Sequence, residues 1–526
     1  MKVMGINCLT HDVSVSLIED GKILALVEEE RFTGIKHQGG FLSNGNAPVN
    51  SIKWIFDKFN LSPQKIDLFA YSGDLKQNIG LSNIISKYKS FAMSLDSSLS
   101  KSRFLNHHLC HASSAFRCSG FNKSLILTID GEGDSISTGV FMGDNNEILP
   151  ITSFPAKQSL GHFYSSVTKT IGLGELGAEG KTMGLSNYGS IDYNFIDKNI
   201  IQKTNFGYVL RENYDKILSS YKRYTGEIQD KHKNLAATAQ YLIEDTILHI
   251  IKLLKKDYDF ENVCIAGGVG LNCLTNSKIA ELDFIKKVFV QPAANDAGTS
   301  LGAALEAYYQ KSNIESNLNP ITHVYYGPEY SNDEIKAILE ECNIKYRYIE
   351  DICNVASDML VSGKIIGWFQ EKMEFGPRAL GNRSILANPK IKGINDIINE
   401  KIKHREKWRP FAPVIMEEYG EEYFCNFFPS PFMTFTFNIQ KDKIDQIPAV
   451  AHVDGSARVQ SVNKNNNLLF YRLLNSFYMK SNIPVLLNTS FNDKSQPICR
   501  TPRDAIKTFY STGLDVLFIG NYLLEK

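Results

Sequence analysis

Two stretches of the sequence run through the same short programme. "NVCIAGGVGLNCLTN" (262–276) and "VFVQPAANDAGTSLGAALEAYYQ" (288–310) each start as an apolar run, break at small residues, and continue into a helix-forming segment. A strand that ends in a small-residue turn and feeds a helix is the repeating unit of α/β architecture, which gathers polar side chains at its strand ends. "DLFAYSG" and "SLILTIDGEG" likewise deliver polar loops from apolar runs. "VMGIN" predicts a strand. "VSVSLIEDGKILALVEEE" predicts two, joined at Asp20-Gly21, because glycine accepts the positive φ of a tight hairpin. Helices are predicted over "NSIKWIFDKF" and "IEDTILHIIKLLKK", where apolar positions recur at three and four. The run "GELGAEGKTMGLSNYGS" is expected to stay out of packed helix, since each glycine forfeits about 1 kcal/mol of helix propensity. No internal repeat is detected.

Length adds a constraint: 526 residues exceed a single core. The alternating pattern assigns residues 1–350 to an α/β body. From "GKIIGWFQEKMEFGPRALGNRSILANP" onward, short strands, basic loops and helices predict a second, smaller α/β domain, 351–526. Lys plus Arg equals Asp plus Glu at 57 each, which gives no support for a dominant nucleic-acid surface. Nine scattered cysteines form no CxxC pair and read as free thiols in a reducing compartment. There is neither a signal-peptide pattern at the N-terminus nor a run of roughly 20 apolar residues, so the expected location is cytoplasmic and off the membrane.

Three of the 11 histidines fall within five positions of "HHLCHASSAF". On a helix His107 and His111 share one face. With Asp130 at the end of "LILTID" they offer nitrogen and carboxylate ligands to a borderline or hard divalent metal. His108 then faces elsewhere, toward substrate or as an orienting group. The competing reading is that these histidines cap a helix or fill polar clefts. Asp296, in "PAANDAG", is a fourth ligand candidate, but on the residues alone the N-cap of "AGTSLGAALEA" is the slightly favoured reading. The loops "AEGKTMG" and "AGGVGLNC" bring Lys181, Gly267, Gly268 and Asn272 forward as nucleotide or transfer-site candidates, because glycine lets backbone amides approach phosphate. Neither loop matches a P-loop, and plain turns are the alternative account.

"FGPRALGNRS" and "KHREKWRPFAP" concentrate Arg378, Arg383, Lys403, Arg405 and Arg409, and "DGSARVQ" adds Arg458. Interleaved Gly, Pro, Trp and Phe suggest a lined cleft rather than a solvated face. Bidentate guanidinium groups suit phosphate anions. "LLNTSFN" places Asn488, Ser490 and Asn492 after a strand, where they suit an anion, or simply a polar turn.

Taken together, "GINCLTHDVSVSLIEDG", "HHLCHASSAF", "EGKTMGLSNYG", "GGVGLNC", "NDAGTSLGAA", "FGPRALGNRSILANP", "KHREKWRPFAP", "IPAVAHVDGSARVQ" and "LLNTSFN" resemble the carbamoyltransferase family of nodulation-factor and antibiotic O-carbamoyltransferases, over nearly the whole chain. The resemblance implies an actin/sugar-kinase-like (Kae1-like) N-terminal domain and a smaller α/β YrdC-like C-terminal domain. It implies ATP and carbamoyl phosphate as substrates, carbamoyl-AMP and pyrophosphate as products of activation, and transfer of the carbamoyl group to a hydroxyl of a small molecule such as a natural product or sugar. Carried onto this chain, the metal ligands are His107, His111, Asp130 and Asp296. The metal is expected to be Fe²⁺, with Mn²⁺ or Zn²⁺ as alternatives, and Mg²⁺ accompanies ATP. His11 matches the family's reactive N-terminal histidine, a neutral imidazole able to take the acceptor's proton; on residues alone it reads as a strand-end histidine. Asp12 is placed to orient it, but is left aside because adjacent side chains often point apart. The family commonly has glutamate where "SQPI" has Gln496. A homodimer is compatible with this reading. Two rival functions remain open: a sugar-kinase-like phosphotransferase, which would yield ADP, and a non-catalytic nucleotide-binding regulator.

Overall fold

The Asp20-Gly21 pair makes the turn expected of it. Both residues lie at positive φ, +48° and +76°, and Glu19 pairs with Lys22 across the hairpin, the geometry that matches strand twist. Residues 1–43, 45–75, 82–196, 198–312, 320–494 and 496–526 are described by the computed structural model. They form two compact units, residues 1–33 with 37–321, and 34–36 with 322–526.

In the first unit, β1 (Lys2–Asn7), β2 (Ser14–Glu19) and β3 (Lys22–Glu28) form an antiparallel meander, and β4 (Leu68–Ser72) and β5 (Ser102–Leu105) join β1 in parallel, giving the order β3-β2-β1-β4-β5. Met4, Ile6, Val15, Leu17, Phe69 and Tyr71 are buried in its core. The plan then recurs. β6 (Lys123–Gly133), β7 (Ile136–Asp144) and β8 (Glu147–Pro155) are an antiparallel meander. After the hairpin of β9 (Ile201–Thr204) and β10 (Gly207–Leu210), β11 (Asn262–Ala266) and β12 (Lys287–Val290) add in parallel beside β6. The second order, β12-β11-β6-β7-β8, is the first one repeated. The sequence shows no repeat because a shared topology needs only the same burial pattern, not the same residues.

Two helices lie between these halves. His107–Ser119, which follows β5, packs on β6 and β11; Ala297–Lys311, which follows β12, packs on β1, β2 and β4. They approach so closely that a Cβ on Gly302 would meet the Cys110 carbonyl at 1.7 Å. The glycine-rich run departs from expectation, because Glu179–Ser186 is helical. Thr182, Met183 and Leu185 are buried there and the helix packs against Asp230–Asp257, so tertiary burial outweighs the glycine cost.

In the second unit, β13 (Arg347–Tyr348), β14 (Ile366–Phe369), β15 (Arg383–Ala387), β16 (Ala412–Met416), β19 (Gln460–Val462), β20 (Val485–Ser490), β21 (Val516–Ile519) and β22 (Tyr522–Glu525) build a mixed sheet ordered β13-β22-β21-β14-β15-β20-β16-β19. The short pair β17 (Thr436–Asn438) and β18 (Ser456–Arg458) stands apart from it. This unit begins at Thr322, ahead of the 350/351 boundary expected from sequence. Tyr325 bridges Glu374 in an isolated β-pair and Asn332–Glu341 packs on Pro502–Ser511, and these contacts tie residues 322–350 to the C-terminal part of the chain. No helix among the described residues is long and apolar enough to cross a membrane.

Candidate metal centre and anion site

His107 and His111 lie one turn apart on the helix His107–Ser119, with ring centroids 4.6 Å apart. Two side chains start that helix. Asn106 accepts the Leu109 N–H at 3.0 Å, and Asp134, at φ +50°, accepts the His107 N–H at 2.7 Å. Asp130 enters from β6. Its Oδ2 stands 3.2 Å from both imidazole Nε2 atoms, while its Oδ1 accepts the Gly131 and Gly268 amides at 2.8 and 3.1 Å. Asp296 completes the set, its Oδ1 lying 3.6 Å from His107 Nε2 and 3.5 Å from His111 Nε2. It occupies the N-cap position of Ala297–Lys311, yet its side chain makes no cap. The ligand reading of Asp296 is therefore the one its geometry follows.

All four side chains are buried. Donor atoms about 2.1 Å from one ion in a tetrahedron stand about 3.4 Å apart; the four His–Asp edges, at 3.2 to 3.6 Å, have that spacing, and all four donor atoms lie within 4.8 Å of one another. Asp296 Oδ1 is buried and accepts no hydrogen bond, a cost that a cation would relieve. Burial alone would lower the His111 pKa, but the Asp130 and Asp296 carboxylates more than offset it and raise it to about 9. Burial likewise works against the ionised Asp130, and hydrogen bonds from His107 and His111 hold it well below the usual carboxylate range. Two buried carboxylates thus demand positive charge at this point, and the His–His–Asp–Asp set fits a divalent metal. The glycines here serve close approach: a Cβ on Gly133 would lie 2.0 Å from His107 Cδ2, and one on Gly267, at φ +85°, 2.3 Å from the Ile129 carbonyl oxygen.

His108 does not join the set. Its Nε2 meets the Ile136 carbonyl at 2.9 Å and its Nδ1 the Thr128 hydroxyl at 2.8 Å. Burial, with His107 and His111 nearby, pushes its pKa down to about 3, so it is a neutral clamp between strands. His11, at the end of β1, points Nε2 toward Asp296 Oδ2 at 3.8 Å and gives Nδ1 to Asp12 Oδ2 at 2.8 Å. Burial would lower its pKa; Asp296 and Asp12 raise it well above the ordinary value. Asn7 pins this corner, donating to the carbonyls of His11, Asp12 and Asp296. Asn7 and Asp134 escaped the sequence reading, and Asp12, set aside there because adjacent side chains often point apart, does contact His11.

Other candidates sit elsewhere. Lys181 Nζ donates to the Leu173 carbonyl at 2.7 Å. Asn272 caps Cys273–Ala280 through Thr275 N–H and exchanges amide hydrogen bonds with Gln240. Of the two glycines, Gly268 does reach the cluster, donating its amide to Asp130, whereas Gly267 packs against the Ile129 backbone.

In the second unit, Lys403 is buried and its ammonium donates to four oxygens at 2.6 to 3.1 Å, the carbonyls and side chains of Ser490 and Asn492. Burial, then the nearby Arg405 charge, pushes its pKa well below the ordinary range. Arg405 is held over Phe411 at 4.6 Å and by Asn399. Its pKa falls through burial and through Arg409 and Arg458, and Arg409 falls through burial and Arg458, with Glu406 opposing in both. Four cations are therefore held within range of one another at a cost in mutual repulsion. An anion would offset that cost. Arg383 belongs to the framework instead. It is fully buried, lies 3.8 Å over Phe369, and spends its guanidinium on the carbonyls of Pro328, Gln370, Glu371 and Asn382. Asn488 bridges Ala379 and Gln460. Arg378 is half-buried in the 370–382 loop. Gln496 contributes its carbonyl, which accepts from Asn492 at 2.6 Å.

Fold and side-chain geometry define a two-unit α/β protein with a buried His–His–Asp–Asp cluster in the first unit and a group of mutually close basic side chains in the second. Residues 2–79 and 74–305 match the family described as Carbamoyltransferase N-terminus, and residues 357–526 match Carbamoyltransferase C-terminus. The chain belongs to the carbamoyltransferase family and is an enzyme of carbamoyl transfer. It is 35% identical to the nodulation protein NolNO of Sinorhizobium fredii over 99% of this chain and 80% of that protein. It is 34% identical to the uncharacterized protein MJ1051 of Methanocaldococcus jannaschii over 100% and 99%, and 25% identical to nodulation protein U of Rhizobium tropici over 94% and 91%. Among solved structures, full-length HypF aligns with 60% of this chain and 47% of its own at 14% identity and a TM-score of 0.37.

Proposed function

We propose that this carbamoyltransferase is ATP-dependent and carbamoylates a hydroxyl of a small natural product or sugar. The observation that carries the activation half is buried Lys403 with the Arg405 and Arg409 charges beside it and Arg458 acting on both arginines, a preorganised positive site for phosphate-bearing substrates. There, carbamoyl phosphate and water would give carbamate and phosphate. A carbamate oxygen would then attack the α-phosphorus of Mg²⁺-ATP, forming carbamoyl-AMP as pyrophosphate leaves. Lys403, Arg405 and Arg409 would offset charge on the phosphates.

In the transfer half, His11 Nε2 takes the proton of the acceptor hydroxyl. The acceptor oxygen attacks the carbamoyl carbon, and the bond to the AMP oxygen breaks with its electron pair leaving on AMP. His107, His111, Asp130 and Asp296 would hold a divalent ion, Fe²⁺ in this reading. When bound it supplies Lewis acidity at that step. The duplicated five-stranded order supports an actin/sugar-kinase-like (Kae1-like) first unit, and the second unit is assigned as YrdC-like. A cytoplasmic location is part of the same proposal.

Phosphorus NMR of ATP products, with and without carbamoyl phosphate, tests the reading on metal-loaded protein. AMP, pyrophosphate and phosphate that require carbamoyl phosphate are expected. ADP as the main nucleotide product would overturn it in favour of a phosphotransferase.

A further inference from the structure

Asp12 is buried, while the two imidazoles it touches, His11 and His37, are partly exposed. One carboxylate oxygen lies 2.8 Å from His11 Nδ1, and the other 2.8 Å from His37 Nδ1. Both Asp12 and His37 adopt left-handed backbone, φ +51° and +54°. Such conformations are sparsely populated for non-glycine residues and concentrate where a side chain must be aimed. The His37 amide is in turn held by Glu30, at 2.6 Å. The ring's Nε2 lies where a Cβ on Gly177 would approach it to 2.1 Å, and Gly177 itself sits at φ +81°. The glycine-rich run therefore makes room for His37. A second metal among Asp12, Glu30 and His37 is a weaker account, because Arg31 already supplies a cation to Glu30 and Glu28 and His37 meets Asp12 at hydrogen-bond distance.

We propose that, once a cation at the His–His–Asp–Asp cluster offsets the Asp296 charge, Asp12, anchored on its far side by His37, is the positioning residue that fixes His11 as the Nδ1–H tautomer, leaving the Nε2 lone pair aimed at the metal centre. A carboxylate is acceptor-only, so both facing nitrogens must be donors. The free nitrogen of His11 is then the one 3.8 Å from Asp296, the side on which an acceptor hydroxyl would give up its proton. A carboxylate that sets the tautomer of a neighbouring general base is worth up to about 10⁴-fold in rate where it has been removed without moving the ring. The low pKa of Asp12 agrees: burial works against ionisation, and the hydrogen bonds from His11 and His37 more than offset it. The proposal rests on His11 acting as the base in carbamoyl transfer.

The test is nitrogen-15 NMR of the full chain, labelled at histidine and loaded with diamagnetic Zn²⁺, with His11 assigned from its loss in His11→Ala. Wild-type protein should show His11 protonated at Nδ1 and bare at Nε2. Asp12→Gly, which suits the left-handed backbone and so spares the fold, should move the proton to Nε2. Gly177→Ala, which displaces His37 without touching His11, should mix the two tautomers, and His37→Gln, which keeps a donor, should restore the wild-type pattern. A wild-type His11 protonated at Nε2, or an Asp12→Gly spectrum unchanged from wild type, would overturn the proposal. With any hydroxyl that the wild type carbamoylates, Asp12→Gly should lower kcat by about 10²- to 10⁴-fold with little change in the acceptor KM; an equal loss carried in KM would count against it. If wild-type protein shows the expected tautomer yet releases no AMP from ATP and carbamoyl phosphate, the activity assignment falls and the positioning role stands.

Discussion

Binding of a divalent ion to the His–His–Asp–Asp centre should expel a proton, in an amount set by His111. Its pKa of about 9 means that at pH 7.5 the imidazole of metal-free protein is ~0.97 protonated; an unperturbed histidine would be only ~0.09 protonated. A metal ligand must be deprotonated, so loading should release about one proton from His111. His11, raised partly by Asp296, can only add to that count. The sign is then fixed. Below pH ~9 metal affinity should fall about tenfold for each unit by which the pH is lowered, and above it the dependence should flatten. The metal-free fold shows the opposite trend, because the raised pKa contributes stability that is fully present below about pH 6.5 and lost as pH rises through 9. Calorimetric titration of chelated protein with Zn²⁺, in buffers of differing ionisation enthalpy, counts the protons. His111→Ala should bind weakly and release few. Tight binding by wild type with no proton released would refute the electrostatic reasoning, and unchanged binding by His111→Ala would refute the site.

Single contacts yield further expectations. Gly133→Ala puts a Cβ 2.0 Å from His107 Cδ2 and should cut metal content at least about tenfold by elemental analysis, with the circular dichroism spectrum retained. Lys403→Met leaves the oxygens of Ser490 and Asn492 without their donor. It should lower carbamoyl-phosphate-dependent AMP release by about 10²-fold or more and cost about 1–3 kcal/mol in urea unfolding, and Lys403→Arg should not rescue it, because a planar fork cannot reach four oxygens around one nitrogen. Gln496→Glu should change stability by less than about 0.5 kcal/mol, since the observed contact uses the backbone carbonyl.

Local sequence determined a good deal. The hairpin at Asp20-Gly21, the strands, and the long amphipathic helices come from periodicity and turn chemistry that a few neighbouring residues settle. The His107/His111 pair was legible for the same reason: a spacing of four on a helix fixes a shared face. Asp296 was not, because a residue at a helix N-cap can turn its side chain inward to the amides or outward to a ligand set. The His107 and His111 imidazoles, 3.6 and 3.5 Å from Asp296 Oδ1, are what it faces in the fold. The basic residues looked alike in sequence. Tertiary packing divides them, burying Arg383 among backbone carbonyls and leaving Lys403, Arg405 and Arg409 mutually repelling. The helix at Glu179–Ser186 exists against its glycines because a long helix covers it. What the chain decides alone are interactions spanning a few residues; which donors converge, and whether a buried charge meets a partner or another like charge, depends on segments brought together from as far apart as Asn7 and Asp296.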